Sequence, residues 1–353
     1  MNNKVTKIIE LNNGHIEEKA IKEAGEVIKN GGLVAFPTET VYGLGANALD
    51  EDAVGKIFEA KGRPQDNPLI VHIGDISQIY ELVEEVPEKA LMLMEKFWPG
   101  PLTLLFNKNE KVPLKTTGGL QSVAIRMPKN EIAIKLINES KVPIAAPSAN
   151  LSGKPSPTNA SHVIEDLLGK IDIIIDGGTT GVGVESTVLD ISTDIPTILR
   201  PGGVTLENLL TVFPKVEYDP ALESKDKDLV PKSPGQKYKH YSPKANMKIV
   251  YGTIEDMSKK INELKDYYTL EGMKVGILAT SQTKEKYDLD NTLVLGDREN
   301  LESIASNLFD MLRKFDKLEV DIILSEGFEE KGIGKAIMNR MKKAAGGDII
   351  YLD

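Results

Sequence analysis

Apolar residues recur every three or four positions in several segments of the first part of the chain, a spacing that predicts helices. Short runs that are apolar on both faces alternate with these segments and predict buried strands. The predicted helices cover residues 16–28, 53–58, 76–83, 90–97, 132–137 and 163–168. The predicted strands cover residues 33–36, 69–73, 102–106, 123–126, 143–146, 171–175, 187–190 and 197–200. This alternation predicts a twisted open α/β sheet covered by helices.

The pattern dissolves after residue 214 and resumes near residue 248. Residues 215–247 are polar and rich in proline, which predicts an extended linker between two domains, 1–214 and 248–353. In the second domain we predict strands over 248–251, 275–279, 292–295, 320–324 and 349–352, and helices over 254–268, 301–315 and 334–345. This domain is smaller and Rossmann-like, but it lacks GxGxxG after its first strand, so a dinucleotide site there is unsupported.

Composition narrows the classes of function. The 353 residues carry a formal net charge of -10, which disfavours contact with nucleic-acid phosphates, so no strong direct nucleic-acid binding is expected. With no cysteine and four histidines, the chain can form no disulfide or thiolate site, and a zinc cluster is not expected. The N-terminal MNNKVTKIIELNNG lacks the apolar run of a signal peptide or spanning helix. We therefore expect a cytoplasmic location and no direct membrane contact.

Polar or glycine-rich segments follow several predicted strands, where ligands collect in open α/β sheets. Each has a structural alternative: PTETVYGLG can be a turn with a helix cap, and the small polar residues of APSANLSG can cap helices instead of binding a carboxylate or phosphate. WPGPLT holds the one tryptophan and indicates packing. The segments lie at residues 37–45, 61–64 with 67–69, 98–103, 146–153 with 156–158, and 183–187 with 200–202.

Basic residues in these segments admit two interpretations. Lys61 and Arg63 stand at the end of a predicted helix, where cations commonly interact with the helix dipole. A lysine and an arginine around a glycine also suit a triphosphate, since arginine offers bidentate contacts and lysine a point charge. Arg200 ends a strand and can bind an anion, although a solvated charge is commoner. The basic residues of the last predicted helix favour a solvated face and are Lys335, Arg340, Lys342 and Lys343.

Covalent catalysis has no obvious agent in this sequence. No spacing typical of a Ser/His/acid triad, a P-loop, HExxH or paired metal carboxylates stands out. Positioning and charge stabilisation therefore remain as the means of catalysis. His72 ends a predicted strand, where a structural histidine and a substrate contact are about equally compatible with the pattern.

Seven motifs occur in the order seen in the YrdC-like family, which this chain resembles over residues 15–205. They are FPTETVYGLGA, KGRPQDNPL, WPGPLT, RMP, APSANLSG, ESTV and LRPGG. SPGQKYKHYSP and GIGKAIMNRMKKAA, further along, resemble the two-domain threonylcarbamoyl-AMP synthases of that family. The resemblance thus covers nearly the whole chain.

The resemblance implies a nucleotidyltransferase that joins L-threonine, bicarbonate and ATP into threonylcarbamoyl-AMP and pyrophosphate. That product feeds the threonylcarbamoyladenosine modification of transfer RNA through a downstream transferase complex. ATP is the nucleotide substrate, and Mg²⁺ is expected to accompany it. The residues agree with this chemistry, because a threonine carbamate carries its own nucleophilic carboxylate and needs alignment and charge neutralisation from the protein.

The resemblance also implies roles for individual residues. The family's central polar residues around the reacting groups correspond to Lys61, Arg63, Ser148 and Asn150. Its ATP contacts correspond to Arg63, Asn67, Ser122, Asn150, Ser156 and Arg200, to which the linker adds His240 and Tyr241. Its threonine contacts correspond to Thr40, His72, Arg126, Ser148 and Ser186. No residue is implied as a metal ligand.

Residues 233–243 of the linker are rich in cations and aromatic side chains and lie over the active site in the resembling enzymes. Lys237, His240 and Tyr241 are therefore expected to close on nucleotide, and the linker is expected to become ordered when ligands bind. Gln236 departs from the family, where an apolar residue is expected, and this puts only local packing in doubt.

Two other functions compete with the synthase. One is the carbamoyltransferase use of the same fold in hydrogenase maturation, but those proteins carry zinc-finger modules, and this chain has no cysteine. The other is a non-enzymatic RNA-binding module, against which the net charge of -10 argues.

Overall fold

The computed structural model describes residues 4–11, 17–222 and 240–352. These residues form two compact units. The first contains residues 4–11, 17–152 and 156–222, and the second contains residues 153–155 and 240–352. The linker limits expected at residues 215 and 247 stay a prediction, since residues 223–239 lie outside the described part.

A mixed sheet runs through the first unit. Its strands within the described residues are β1 Lys7–Glu10, β2 Val34–Phe36, β3 Gly43–Asn47, β4 Ile70–His72, β5 Leu102–Asn107, β6 Ser122–Arg126, β7 Ile144–Ala145, β8 Ile173–Asp176, β9 Thr187–Asp190, β10 Thr197–Arg200 and β11 Glu217–Tyr218. They lie in the order β1-β8-β2-β3-β7-β4-β6-β5-β9-β10-β11. The sheet contains both parallel pairs, such as β4 with β6, and antiparallel pairs, such as β5 with β6. The predicted α/β sheet is confirmed.

Helices cover this sheet, and their apolar faces form its cores. Their bounds are α1 Glu18–Lys29, α2 Glu51–Lys61, α3 Glu88–Phe97, α4 Glu131–Ser140, α5 Ala160–Leu167 and α6 Leu206–Leu209. Ala24 and Ile28 of α1 share one core with Leu136 of α4. A larger core packs α2, α3 and α5 against the sheet and includes Trp98, whose indole N–H donates to the carbonyl oxygen of Leu102 at 2.7 Å. The packing role expected for Trp98 is confirmed.

The element predictions for this unit hold with two kinds of exception. Residues 76–81 form a 3₁₀ helix where an α-helix was predicted over 76–83. The strands β1, β3 and β11 and the short helix α6 were not predicted, and residue 16, the predicted start of α1, lies outside the described part.

The glycine-rich end of PTETVYGLG is the clearest of these corrections. It forms β3, antiparallel to β2, and not the turn with a helix cap that was one alternative from the residues alone. A Cβ on Gly45 would lie 2.7 Å from Ile144 Cγ2 and 2.8 Å from Phe36 Cε1. Close packing within the sheet therefore requires a glycine at this position. Because glycine has a low strand propensity, the sequence did not indicate a strand here.

The second unit is a smaller α/β domain, as predicted. Its strands are β12 Asn246–Tyr251, β13 Val275–Ala279, β14 Thr292–Val294, β15 Ile322–Glu326 and β16 Ile349–Tyr351, and its helices are α7 Ile254–Leu270, α8 Leu301–Leu318 and α9 Ile333–Ala344. All described strand pairs in it are parallel, in the order β14-β13-β15-β12-β16. Counted within the unit this order is 3-2-4-1-5, whereas the dinucleotide-binding Rossmann fold begins 3-2-1-4.

The basic helix α9 is not the solvated face that its sequence favoured. Arg340 is fully buried, and its guanidinium lies 5.5 Å from the ring centroid of Tyr241. Lys335 and Lys342 both pair with Glu330. In the described ranges, no helix is long and apolar enough to cross a membrane.

Two glycine substitutions test the packing of β3. Gly45→Ala should lower the free energy of unfolding by about 1–3 kcal/mol, because its methyl group would overlap Ile144 and Phe36. Gly55→Ala in α2 is the matched control: the nearest atom to its new methyl group is Lys115 Nζ at 3.6 Å, and alanine favours a helix by about 0.5–1 kcal/mol. Chemical denaturation of both variants measures the difference, and equal effects would contradict this packing.

Candidate active site

One part of the sheet carries a small apolar cluster drawn from strands alone. Its members are Ile70, Leu105, Ala124, Val188 and Leu199, from β4, β5, β6, β9 and β10. Because successive side chains of a strand point to opposite faces, Ser122 and Arg126 of β6 share a face with Ala124. His72 likewise shares the face of Ile70, and it pairs in register with Arg126. This face therefore combines an apolar surface with the polar side chains of Ser122, Arg126 and His72.

Arg126 is buried at the end of β6 and is fixed by three partners. Its Nε donates to the carbonyl oxygen of Gly100 at 3.2 Å, and its Nη1 donates to the Thr40 hydroxyl at 3.0 Å. Its Nη2 lies 2.6 Å from Oε2 of Glu39. The other carboxylate oxygen of Glu39 is buried and accepts no hydrogen bond from the described residues. Thr40 and Arg126, both predicted threonine contacts, are thus brought together, and Glu39 joins them.

His72 is neutral at physiological pH. Burial, and after it the charge of Arg126, lower the pKa of His72 from its ordinary 6.5 to about 3, although hydrogen bonds to backbone carbonyls act in the opposite direction. Its Nδ1 lies 3.2 Å from the carbonyl oxygen of Ile70, and its ring meets Phe36 edge-on with centroids 6.2 Å apart. The imidazole therefore adds shape and hydrogen-bonding capacity to this end of the site, but no positive charge.

The Lys61 side chain is held by hydrogen bonds to a loop outside its own helix. Lys61 is the last residue of α2, which ends at Gly62 in the left-handed region, and its side chain is buried. The ammonium donates to the carbonyl oxygens of Ser148 and Asn150, both at 2.5 Å. The Ser148 hydroxyl in turn donates to Oδ1 of Asn150 at 2.5 Å. Three of the four predicted catalytic residues thus form one connected group.

Arg63, the fourth, fixes the turn before β4. Its Nη2 donates to the carbonyl oxygens of Asn67 at 3.4 Å and Pro68 at 3.2 Å. The amide oxygen of Asn67 is buried and accepts no hydrogen bond within the described part of the chain. Arg63 and Asn67, both predicted ATP contacts, are therefore neighbours.

Arg200 is buried as well, so the solvated charge considered for it is wrong. Its Nε and Nη2 donate to the carbonyl oxygen and the hydroxyl of Ser186, each at 3.0 Å. The hydroxyl groups of Ser186 and Thr103 lie 2.8 Å apart. Ser186, a predicted threonine contact, and Arg200, a predicted ATP contact, therefore share one group at the start of β9.

The remaining predicted contacts are more dispersed. Ser156 donates to Oε1 of Glu185 at 2.5 Å. Ser122 begins β6 and is separated from Arg126, at its end, by about 13 Å of extended strand. Tyr241 belongs to the second unit, where it is buried with its ring stacked on Phe309. His240 is beside it, and Lys237 and Gln236 lie outside the described residues.

The sequence did not single out three acidic or hydroxyl partners of the predicted residues: Glu39, Glu185 and Thr103. All three lie inside quoted motifs, so the motifs themselves were the signal available. The roles of Glu39 and Glu185 depend on contacts with residues 87 and 29 positions away, which no local pattern contains.

The candidate site residues are mainly donors for anions. They supply lysine, arginine, hydroxyl and amide groups, and the described residues contain no group of three or more His, Asp or Glu side chains placed to hold a metal ion. Such a set can bind carboxylate and phosphate groups and stabilise charge that develops on them.

Two protein-family models match this chain. The Sua5/YciO/YrdC family model, described as telomere recombination, matches residues 26–202. A second model, described as the C-terminal domain of threonylcarbamoyl-AMP synthase, matches residues 204–346. The chain belongs to the YrdC-like family.

Members of the YrdC-like family match this chain over almost its full length. The threonylcarbamoyl-AMP synthase of Pyrococcus abyssi is 55% identical, covering 95% of this chain and 96% of its own. The Bacillus subtilis protein of that name is 52% identical, covering 94% of each. A crystal structure of P. abyssi Sua5 complexed with L-threonine superposes with a TM-score of 0.93 at 52% identity, covering 99% of this chain and all of the other.

The depressed pKa of His72 predicts how stability depends on pH. Because the pKa is about 3 in the folded protein and 6.5 in the unfolded chain, the unfolded chain binds more protons between these values. The contribution of the neutral His72 to the free energy of unfolding is complete above pH 6.5. It is lost as the pH falls towards 3, by up to about 1.4 kcal/mol per pH unit. Denaturation at pH 7 and pH 5 should therefore show a larger loss of stability for the wild type than for His72→Phe.

Between pH 7 and pH 8 the two proteins should change in parallel, which provides the internal control. Equal losses of stability between pH 7 and pH 5 would contradict a neutral, buried His72.

Proposed function

We propose that this chain is a threonylcarbamoyl-AMP synthase, which makes L-threonylcarbamoyladenylate and pyrophosphate from L-threonine, bicarbonate and ATP. The observation that carries the proposal is end-to-end similarity to relatives of that name, at 55% and 52% identity across both domains. The site supports it independently, since it gathers cationic and hydroxyl groups and lacks a nucleophile of its own. The product would serve the threonylcarbamoyladenosine modification of transfer RNA, as the reactive donor for a downstream transferase complex.

The substrate supplies the nucleophile in this reaction. Threonine and bicarbonate combine to a carbamate with loss of water, and one oxygen of that carbamate attacks the α-phosphorus of ATP. The new O–P bond forms as the bond from the α-phosphorus to the bridging oxygen breaks, and pyrophosphate leaves with that electron pair. Lys61, Arg63, Ser148 and Asn150 are proposed to hold the reacting groups in line and to stabilise the charge that shifts to pyrophosphate.

The proposed contacts suit the two organic substrates. Hydroxyls, a guanidinium and a neutral imidazole are offered to threonine by Thr40, His72, Arg126, Ser148 and Ser186. The buried Glu39 oxygen that accepts no described donor suits an N–H group of the amino acid or its carbamate. The nucleotide contacts we propose are Arg63, Asn67, Ser122, Asn150, Ser156, Arg200, His240 and Tyr241.

Mg²⁺ is proposed to arrive with the phosphates of ATP. No group of three or more His, Asp or Glu side chains in the described ranges is placed to hold it, so the phosphates are its natural ligands. When bound, it would neutralise phosphate charge beside Lys61 and Arg63.

Pyrophosphate release from ATP tests the proposal. The purified chain should release pyrophosphate when threonine and bicarbonate are both present, and omission of either should reduce release to background. Serine in place of threonine should lower kcat/KM by about 10- to 200-fold, the range for one missing methyl group in a fitted pocket.

Release that is indifferent to threonine would contradict the proposal. It would favour the carbamoyltransferase use of the fold, which carbamoyl phosphate would then stimulate. Absence of release under every condition, with retention of transfer RNA on a filter, would favour the RNA-binding module.

A further inference from the structure

Helix α8 of the second unit presents three side chains on one face towards two short segments of chain. Phe309, Arg313 and Asp316 are spaced i, i+4 and i+7, which places them on the same side of a helix. The segments are residues 153–155 and residues 241–244, and both belong to the second unit by their contacts.

Arg313 binds the first of these segments through hydrogen bonds. It is only 2% exposed, and its Nε and Nη2 both donate to the carbonyl oxygen of Pro155, at 3.1 and 2.7 Å. Charged donors on a single buried carbonyl oxygen form one of the stronger kinds of hydrogen bond, and the planar guanidinium fixes its direction.

The second segment packs on the same helix face. The ring of Tyr241 stacks on Phe309 with centroids 5.2 Å apart, and Arg340 lies over it. The backbone N–H of Lys244 donates to Oδ1 of Asp316 at 2.7 Å. The two segments are also joined to each other, because the N–H of Ser242 donates to the carbonyl oxygen of Gly153 at 2.9 Å.

The tripeptide 153–155 interrupts the polar loop of the candidate site. Before it stand Ser148 and Asn150, which Lys61 holds, and the N–H of Ser152 donates to the carbonyl oxygen of Lys61 at 2.9 Å. After it stands Ser156, bound to Glu185. The residues on both sides of the tripeptide are hydrogen-bonded, and α8 holds the tripeptide itself through Arg313.

We propose that Arg313 is a positioning residue for two of the proposed ATP contacts. By holding the Pro155 carbonyl oxygen, it sets the path of the chain between those contacts, Asn150 and Ser156. The inference rests on the proposed synthase function.

The test compares two buried or half-buried arginines of the second unit. Arg313→Met should raise the KM for ATP about tenfold or more, as expected when a charge-assisted hydrogen bond that orders a binding loop is lost. The KM for threonine should change far less. Arg313→Lys, which keeps the charge but not the two-pronged contact, should give an intermediate value. Pyrophosphate release with each substrate varied in turn provides both constants.

Arg298→Met is the matched control. Arg298 pairs with the buried Glu326 at 2.6 Å and donates to the carbonyl oxygen of Gly327, so its loss disturbs the second unit away from residues 153–155. Its KM for ATP should stay within about twofold of wild type, even where its melting temperature falls as much as that of Arg313→Met.

An unchanged KM for ATP in Arg313→Met would overturn the proposal, and so would equal effects of Arg298→Met and Arg313→Met. If Arg313→Met does not fold, the same comparison is decided by Arg313→Lys, for which a wild-type KM for ATP overturns it. Requirement for threonine and bicarbonate by the wild type, measured in the same assay, tests the proposed function separately.

Discussion

A buried ammonium group joins the helix α2 to the loop that follows β7, and three of the four predicted catalytic residues are connected through it. A lysine charge out of water is unfavourable unless hydrogen bonds replace its hydration, and the carbonyl oxygens of Ser148 and Asn150 provide them at 2.5 Å each. The same loop returns an N–H from Ser152 to the Lys61 carbonyl oxygen. Helix end and loop thus hold each other, and the reactive polar groups are ordered before any substrate arrives. Such preorganisation is what a site needs when the substrate supplies the nucleophile, as proposed for this chain.

The division of the sheet into two faces explains why the site lies where it does. One face of β4, β5, β6 and β9 contributes Val71, Leu104, Ile125 and Leu189 to the large core under α2, α3 and α5. The opposite face carries the small cluster that includes Ile70 and Ala124. The polar side chains of the same strands, among them His72 and Arg126, lie on this face too. A single alternation along each strand therefore supplies both the stability of the first unit and the surface on which substrates are proposed to react.

Local patterns predicted most elements because apolar runs and helical periodicity record burial directly. They missed β1, whose Lys7 and Glu10 look like surface loop, since its pairing with β8 depends on backbone hydrogen bonds. They missed β3 because its glycines are needed for close approach to Ile144. The sequence motifs supplied the candidate site residues, but their partners could not be predicted. The pairing of Arg126 with Glu39 and the burial of Arg200 and Arg340 arise from tertiary contacts. The strand order of the second unit is likewise a property of the whole domain.

The most direct test of the central claim is the rate of pyrophosphate release by Lys61→Ala, with Lys56→Ala as its control. Lys56 lies on the same helix, and its ammonium donates to the carbonyl oxygen of Gly31 at 2.8 Å, away from the site loop. Loss of Lys61 should reduce kcat by about 100- to 1,000-fold, the range for one preorganised charge-stabilising donor, while Lys56→Ala should stay near wild type. A folded Lys61→Ala protein with wild-type turnover would contradict the account.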